Sequence, residues 1–430
     1  MAALGLALAV AAAACAPSSR DHAAASLDAA ARSYVGLVLA LGERDADSLD
    51  SYHGPAAWQA DARSQHATLA DVRARARALA DSLGAHTPEG RDDDGERRAF
   101  LVRQLRAIVS RIDVLQGARP SFDEEARLLF GLQPAADESN RGDANGGAAA
   151  REAADVRAEI DRRLPGHGDL ASRYAAFDRQ FSVGPDHLSA VLARAIDGCR
   201  AVTRAHVDLP AEQVRVELVR DLPWSAFTRY DGGFASRVQV NAALPLTVDR
   251  ALDLACHEAY PGHHTINVLL ESRFGSRRPE LFVQPLFSPQ SLLHEAAASL
   301  APSLAFPAAE RLAFERDALF PLAGLDPSRA EEYVAVAGLV DRLHGVVGAV
   351  ARRYVDGALD FPRAAAALER DALMPSADAT LKFVNQFRSY AATYTIGRDC
   401  LAPVVSRDWA AYVRAVTNPA QILQPLHAGK

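Results

Sequence analysis

Residues 257–264 read HEAYPGHH. They bring together imidazoles at His257, His263 and His264 and a carboxylate at Glu258. These are the side chains that hold divalent ions and move protons near neutral pH. In the pattern H-E-x-x-H, the second histidine lies one helical turn after the first and shares its ion. Here that place holds Pro261. In an unbroken helix His264 would share a face with His257, but the rise between them is about 10.5 Å. Zinc–nitrogen bonds are only about 2.0–2.1 Å, so a straight helix cannot bring them to one ion. His263 would point to another face. A shared ion therefore needs a break between the histidines. Pro261 has no amide hydrogen and Gly262 tolerates unusual backbone angles, so together they supply one. The plainer reading is a polar helix end, where histidines suit the negative pole of the dipole.

The elements around this stretch favour the metal reading. VDRALDLACHEAY (248–260) has the apolar spacing of a helix, with Leu252, Ala255 and Cys256 among its buried positions. VRVELV (214–219) and SRVQVN (236–241) alternate as half-buried strands do. The order is strand, short connection, then the helix carrying His257. An edge strand beside such a helix can hold an extended peptide through main-chain hydrogen bonds. Elsewhere the spacing predicts helices over 70–83, 97–115, 151–164, 186–205, 330–357 and 361–373. Two polar stretches, 86–96 and 133–147, read as loops, and the second is a candidate boundary. The expected fold is mainly α, with a small β-sheet beside the active-site helix. A helical region over 23–147 would precede a catalytic region over 148–430.

The chain has 430 residues, 49% hydrophobic and 23% charged, as a globular protein does. Its 47 basic and 54 acidic residues give a net charge of −7, which argues against a nucleic-acid surface. The apolar opening, residues 1–15, ends in AAAC and reads as a secretory signal whose Cys15 resembles a lipidation site. That places the body outside the cytoplasm, with a membrane anchor as partner. Cys199, Cys256 and Cys400 form an odd set without a C-x-x-C and read as buried thiols, with one disulfide open but not assignable. His344, within an apolar helical stretch, reads as a core residue. No G-x-S-x-G or phosphate-binding glycine loop occurs in a suitable context.

The motif H-E-x-x-P-G-H-H resembles the signature of a bacterial family known as domain of unknown function 885, many of whose members are lipoproteins. That family is similar to zincin-type metallopeptidases, helical carboxypeptidases among them. The likeness runs from about Tyr230 to Val405. It takes in YDGGFASRVQVN before the motif and LLHEAAASLA (292–301), ARRYVDGALDFPRAAAAL (351–368) and QFRSYAATYTIGRD (386–399) after it. It implies a zincin-like helical fold and a Zn2+ held by His257, His263 and Glu295, with His264 as the alternative to His263. Glu271 is a poorer third ligand, about two turns beyond His263. It further implies peptide hydrolysis by metal-activated water, with Glu258 as general base. Tyr394, or Tyr390 one turn earlier, would donate to the oxyanion. Arg388 and Arg398 are candidate forks for a substrate carboxylate. Two other readings stay open. One is a non-catalytic lipoprotein that kept the fold, since the family's Gly and Trp are missing after Glu295. The other is a metal-dependent hydrolase of a different amide, as in a cell-wall fragment.

Overall fold

A computed structural model describes residues 19–85, 93–132, 147–222, 224–405 and 408–418. The signal segment with Cys15, most of the 86–96 stretch and residues 133–146 lie outside the described residues. The fold is mostly helical with a small sheet, as the periodicities imply. Most predicted helices appear within a few residues of their expected ends: Leu69–Gly84, Asp93–Leu115, Ala148–Arg163, Pro185–His206 and Phe361–Asp371. The stretch 330–357 differs. It is two helices, Ala330–Asp341 and His344–Val355, parted by a turn at Arg342 and Leu343.

Among the described residues, five strands form two sheets. β1 (Leu49–Tyr52) pairs antiparallel with β5 (Val283–Pro285). β2 (Gln213–Val219), β3 (Ala226–Gly232) and β4 (Ala235–Asn241) form the larger sheet in the order β2-β4-β3. β4 runs parallel to β2 and antiparallel to β3, to which a Gly-containing turn joins it. β3 is therefore an edge strand, and it was not foreseen. Its residues AFTRYDG lack the clean alternation that marks β2 and β4.

Of the apolar clusters among the described residues, the two largest meet at the middle of the fold. One gathers helices Ser19–Gly42, Leu69–Gly84 and Asp93–Leu115 through Tyr34, Val38, Leu101 and Leu105. The other gathers helix Pro185–His206, β4 and the segment before His257 through Val191, Val238, Leu252 and Tyr260. Two later helices, His263–Phe274 and Pro289–Ala305, contribute to both: Ile266 and Leu293 to the first, Val268 and Ala301 to the second. They are the shared wall between the cores, and both carry residues of the metal motif.

Helix Pro289–Ala305 suits this place. The Ser288 hydroxyl accepts from the Ser291 amide at 3.1 Å and caps its start, and Pro289 fits its first turn. Ala296, Ala297, Ala298 and Ala301 are fully buried, so neighbouring backbone can come close. A Cβ on Gly397 would lie 2.7 Å from Leu292 Cδ1, so any larger residue there would push the Leu292 side chain aside.

The cysteines depart from expectation. Cys199, on helix Pro185–His206, and Cys256, beside His257, form a disulfide rather than two thiols, and Cys400 is buried apart from them. Their Cα atoms are 5.7 Å apart, within bridging range. Sequence alone could not place two segments 57 residues apart side by side. The bridge constrains the unfolded chain and pins the segment before the histidines. Reduction is expected to destabilise the protein by roughly 2–4 kcal/mol. Denaturant unfolding with and without reductant measures this, and superimposable curves would show that the bridge is not formed in solution.

Candidate metal centre

The helix Val248–Leu254 runs into a π-helical turn over Ala255–Ala259. Such turns shift side-chain direction by inserting a residue into the helical ladder. The chain then leaves the helix at Tyr260, passes a cis Tyr260–Pro261 bond, and restarts as a helix at His263. Gly262 makes the reversal possible. Its amide donates to Cys256 O at 2.9 Å, and a Cβ there would stand 1.7 Å from His257 O. No residue with a side chain fits that approach. The Tyr412 hydroxyl donates to Pro261 O at 2.8 Å and holds the bend from the C-terminal side.

This bend brings His257 and His263 together edge-on, with Nε2 atoms 3.2 Å apart. Glu295 projects from helix Pro289–Ala305 to the same point. Its Oε2 lies 3.3 Å from His257 Nε2 and its Oε1 lies 3.3 Å from His263 Nε2. Among the described residues these three form the one group of His, Cys, Asp and Glu side chains spaced to hold an ion. Donors at about 2.0–2.2 Å from a tetrahedral zinc lie about 3.3–3.6 Å from one another. The observed spacings fit. Glu295 Oε2 is also buried with no hydrogen-bond partner, although a buried carboxylate oxygen is costly to leave unpaired. Donor type, spacing and the orphaned oxygen all suit a divalent ion, and the imidazole edges remain 17% exposed, open to a further ligand.

The surrounding groups orient these donors. The Tyr390 hydroxyl donates to Glu295 Oε1 at 2.9 Å and accepts from the Ser291 hydroxyl at 3.2 Å. The Tyr394 ring stacks on His257 with centroids 6.2 Å apart. Burial, with the nearby charges of Glu295 and Glu258, raises the Tyr394 phenol well above its ordinary value, so it stays a proton donor. Glu258 follows His257 and stands outside the donor triangle, close enough for its charge to act on His263 and Tyr394. The Thr228 hydroxyl on β3 lies 2.7 Å from Glu258 Oε2 and 2.9 Å from Glu258 O. A chain of amides ties the two ligand-bearing helices together. Gln290 donates to Gln284 at 3.2 Å, Gln284 to Asn267 at 3.0 Å, and Asn267 to His263 O at 2.9 Å.

Other candidates named from the sequence lie elsewhere. His264 is fully buried on the far side of its helix, 2.8 Å from Ser236 Oγ and 3.2 Å from Glu212 Oε2. Glu271 accepts from the Tyr230 hydroxyl and the Gly233 amide and fastens the β3 turn. Arg388 is committed to Glu125 at 2.6 Å, and Arg398 grips Asp341 through two hydrogen bonds. His344 is not a core residue but bridges Asp341 O and Asp399 at a helix start, which raises its pKa. Two residues near the centre were missed, Thr228 and Asp50. Asp50 sits on β1 and feels the charges of Glu295, His263, Arg229 and Glu258, and burial with Glu295 pushes it up to about 7. Nothing in the local sequence SLDSY marks it.

No protein-family model matches the chain, and no curated protein matches its sequence. Several solved structures are similar in part. A candidate lipoprotein from Colwellia psychrerythraea is 15% identical with a TM-score of 0.47, over 85% of this chain and 70% of that one. A carboxypeptidase from Pyrococcus furiosus is 12% identical with a TM-score of 0.41, over 94% and 90%. A structure described as BsuCP is 9% identical with a TM-score of 0.48, over 93% and 90%. At these values the likeness assigns no activity to this chain.

Two outcomes follow from the geometry. Gly262→Ala would force the bend apart, costing about 3 kcal/mol or more by overpacking. It is expected to lose zinc, and a variant that binds zinc as the parent does would refute the role given to Gly262. The second concerns pH. Burial lowers the His263 pKa, but the Glu295 carboxylate more than offsets this and holds it at about 9. Burial opposes ionisation of Glu295, yet the two histidines hold it well below the carboxylate range. In the ion-free protein the pair's stabilisation is present below the ordinary histidine value of 6.5 and is lost as pH rises through about 9. An ion must displace the His263 proton. Zinc affinity is therefore expected to rise about tenfold per pH unit from neutral pH towards that value. Zinc titrations against a competing chelator at pH 7 and pH 8 check it, and equal affinities would contradict it.

Proposed function

We propose that the protein is an exported, zinc-dependent peptidase and a divergent member of the domain-of-unknown-function family 885. The observation that carries this reading is the triangle of His257, His263 and Glu295 Oε2/Oε1, with a separate carboxylate, Glu258, beside it. Three protein donors with one open side form the arrangement of a catalytic rather than a structural zinc. When bound, the ion supplies Lewis acidity and makes water easier to deprotonate.

The chain's own groups would do the rest. Thr228 engages one oxygen of Glu258, and no described residue hydrogen-bonds the other, which is left to take a proton from water. Glu258 would then return that proton to the leaving amine. Tyr394, half-buried against His257 and held protonated, would donate to the oxygen that gains negative charge. Tyr390 is already engaged with Glu295 and is better placed to orient that carboxylate than to meet substrate. β3 is the edge strand next to Glu258, so an extended peptide added along it would pass the site. The Cys199–Cys256 disulfide fits an oxidising compartment, as the signal segment and Cys15 do.

The test is metal content and hydrolysis, measured together. The purified protein is expected to hold about one zinc per chain, and His257→Ala and Glu295→Ala to lose it. Glu258→Gln is expected to keep zinc while peptide hydrolysis falls about 10²–10⁴-fold. Zinc binding without hydrolysis of any peptide would leave a non-catalytic lipoprotein or an amide hydrolase of another class. No zinc binding would end the metalloenzyme reading.

A further inference from the structure

β1 and β5 pair with a break in register between Leu49 and Ser51, opposite Pro285 and Gln284. The residue inside that break is Asp50. A bulge of this kind frees one residue from the ladder and re-aims its side chain. Here β1 packs against β3, whose Thr228 holds Glu258, so the freed residue lies beside the metal centre, within reach of the charges of Glu295, His263, Arg229 and Glu258. No described residue hydrogen-bonds or ion-pairs with it. The segment bearing it is nonetheless held firmly. Arg111 pairs with Asp45 at 2.7 Å, both well buried, and the Ser48 hydroxyl donates to Asp45 at 2.5 Å. Gln386 donates to Asp47 at 3.0 Å. A carboxylate held in place without a protein partner is free to pair with a charged group from outside the fold.

The charges around it indicate what that partner is. A dication with neutral imidazoles is balanced by Glu295 and Glu258. Asp50, when ionised, then adds a further negative charge beside the site. The guanidinium that acts on it, Arg229 on β3, is exposed and forms no ion pair with it among the described residues, so water and salt screen it. Resting on the peptidase reading above, we propose that Asp50 is a specificity-determining residue whose carboxylate receives a positive group of the substrate beside the scissile bond. That group is an ammonium or guanidinium, carried either by the peptide N-terminus or by a basic side chain.

The experiment compares the zinc-loaded protein with Asp50→Asn and Asp50→Glu on two matched peptide pairs. One pair differs by lysine against norleucine next to the scissile bond, the other by a free against an acetylated N-terminus. The parent is expected to favour the cationic member of one pair at least tenfold in kcat/KM. Asp50→Asn should bring that ratio to within about twofold, and Asp50→Glu should retain part of it. The pair that responds identifies the source of the cation. Zinc content and the thermal midpoint are read alongside, because loss of zinc in Asp50→Asn would make Asp50 a ligand and overturn the proposal. An unchanged ratio in Asp50→Asn would overturn it too, since the amide would then serve as well as the carboxylate. If the parent cleaves none of the peptides, the peptidase reading fails separately. Calorimetric binding of the same four peptides then decides the point, through an Asp50-dependent preference for the cationic members or its absence.

Discussion

A carboxylate buried between two imidazoles governs the centre of this molecule. Glu295 sits on a helix almost wholly enclosed by protein, 6% exposed, where an isolated charge would be strongly disfavoured. Its charge survives because His257 and His263 face it and because Tyr390 donates to one of its oxygens. Among the described residues the other oxygen has no hydrogen-bonding partner, so the arrangement could take a divalent ion. Most of the nearby architecture serves this one requirement. The alanines of helix Pro289–Ala305 let neighbouring segments approach, and the amide chain from Gln290 to Asn267 fixes the distance between the two ligand-bearing helices.

The histidines meet that carboxylate through a backbone device rather than through helical periodicity. A regular helix would separate them along its axis. The π-helical turn, the departure at Tyr260 and the close approach of Gly262 to His257 O fold the segment back on itself. A second layer then stops the bend from relaxing. Tyr412 holds Pro261, and the Cys199–Cys256 bridge holds the turn just before His257. His264, with Ser236 and Glu212, and Tyr260, which donates to Glu212, anchor the far face of the same bend. The two neighbouring histidines thus do different work, one facing the ion site and the other a buried acid, because consecutive residues at a helix start point to different sides.

Legibility in the sequence tracked how local each feature is. The break at Pro261 and Gly262 and the need for it were readable from bond lengths and helical rise alone. Glu295 was not; its place came from resemblance, since no spacing rule links residues on separate helices. β2 and β4 were visible because their alternation is clean, and β3 was hidden because Thr228, Tyr230 and the Gly-rich turn break it. The turn at Arg342 and Leu343 was hidden for the opposite reason, since apolar spacing continues across it. Asp50 was the least accessible. It depends on a bulge and on packing between segments far apart in the chain, and neither leaves a local signature.

The arginines show why charge alone is a poor guide to a site. Arg388 and Arg398 lie near the motif's C-terminal partners and looked suited to a substrate carboxylate. In the folded chain each is already satisfied, by Glu125 and by Asp341. A charged group whose partner is protein has its geometry spent on the fold, and using it for substrate would leave that partner exposed to the cost of an unpaired charge. The informative groups are those that the fold holds in place yet leaves without a partner. Glu295 Oε2, which no described residue hydrogen-bonds, is one and the Asp50 carboxylate is the other, both near His263. The first is shaped for an ion, by donors at metal spacing. The second has no such donors around it, so what it awaits is a charge that arrives with the substrate.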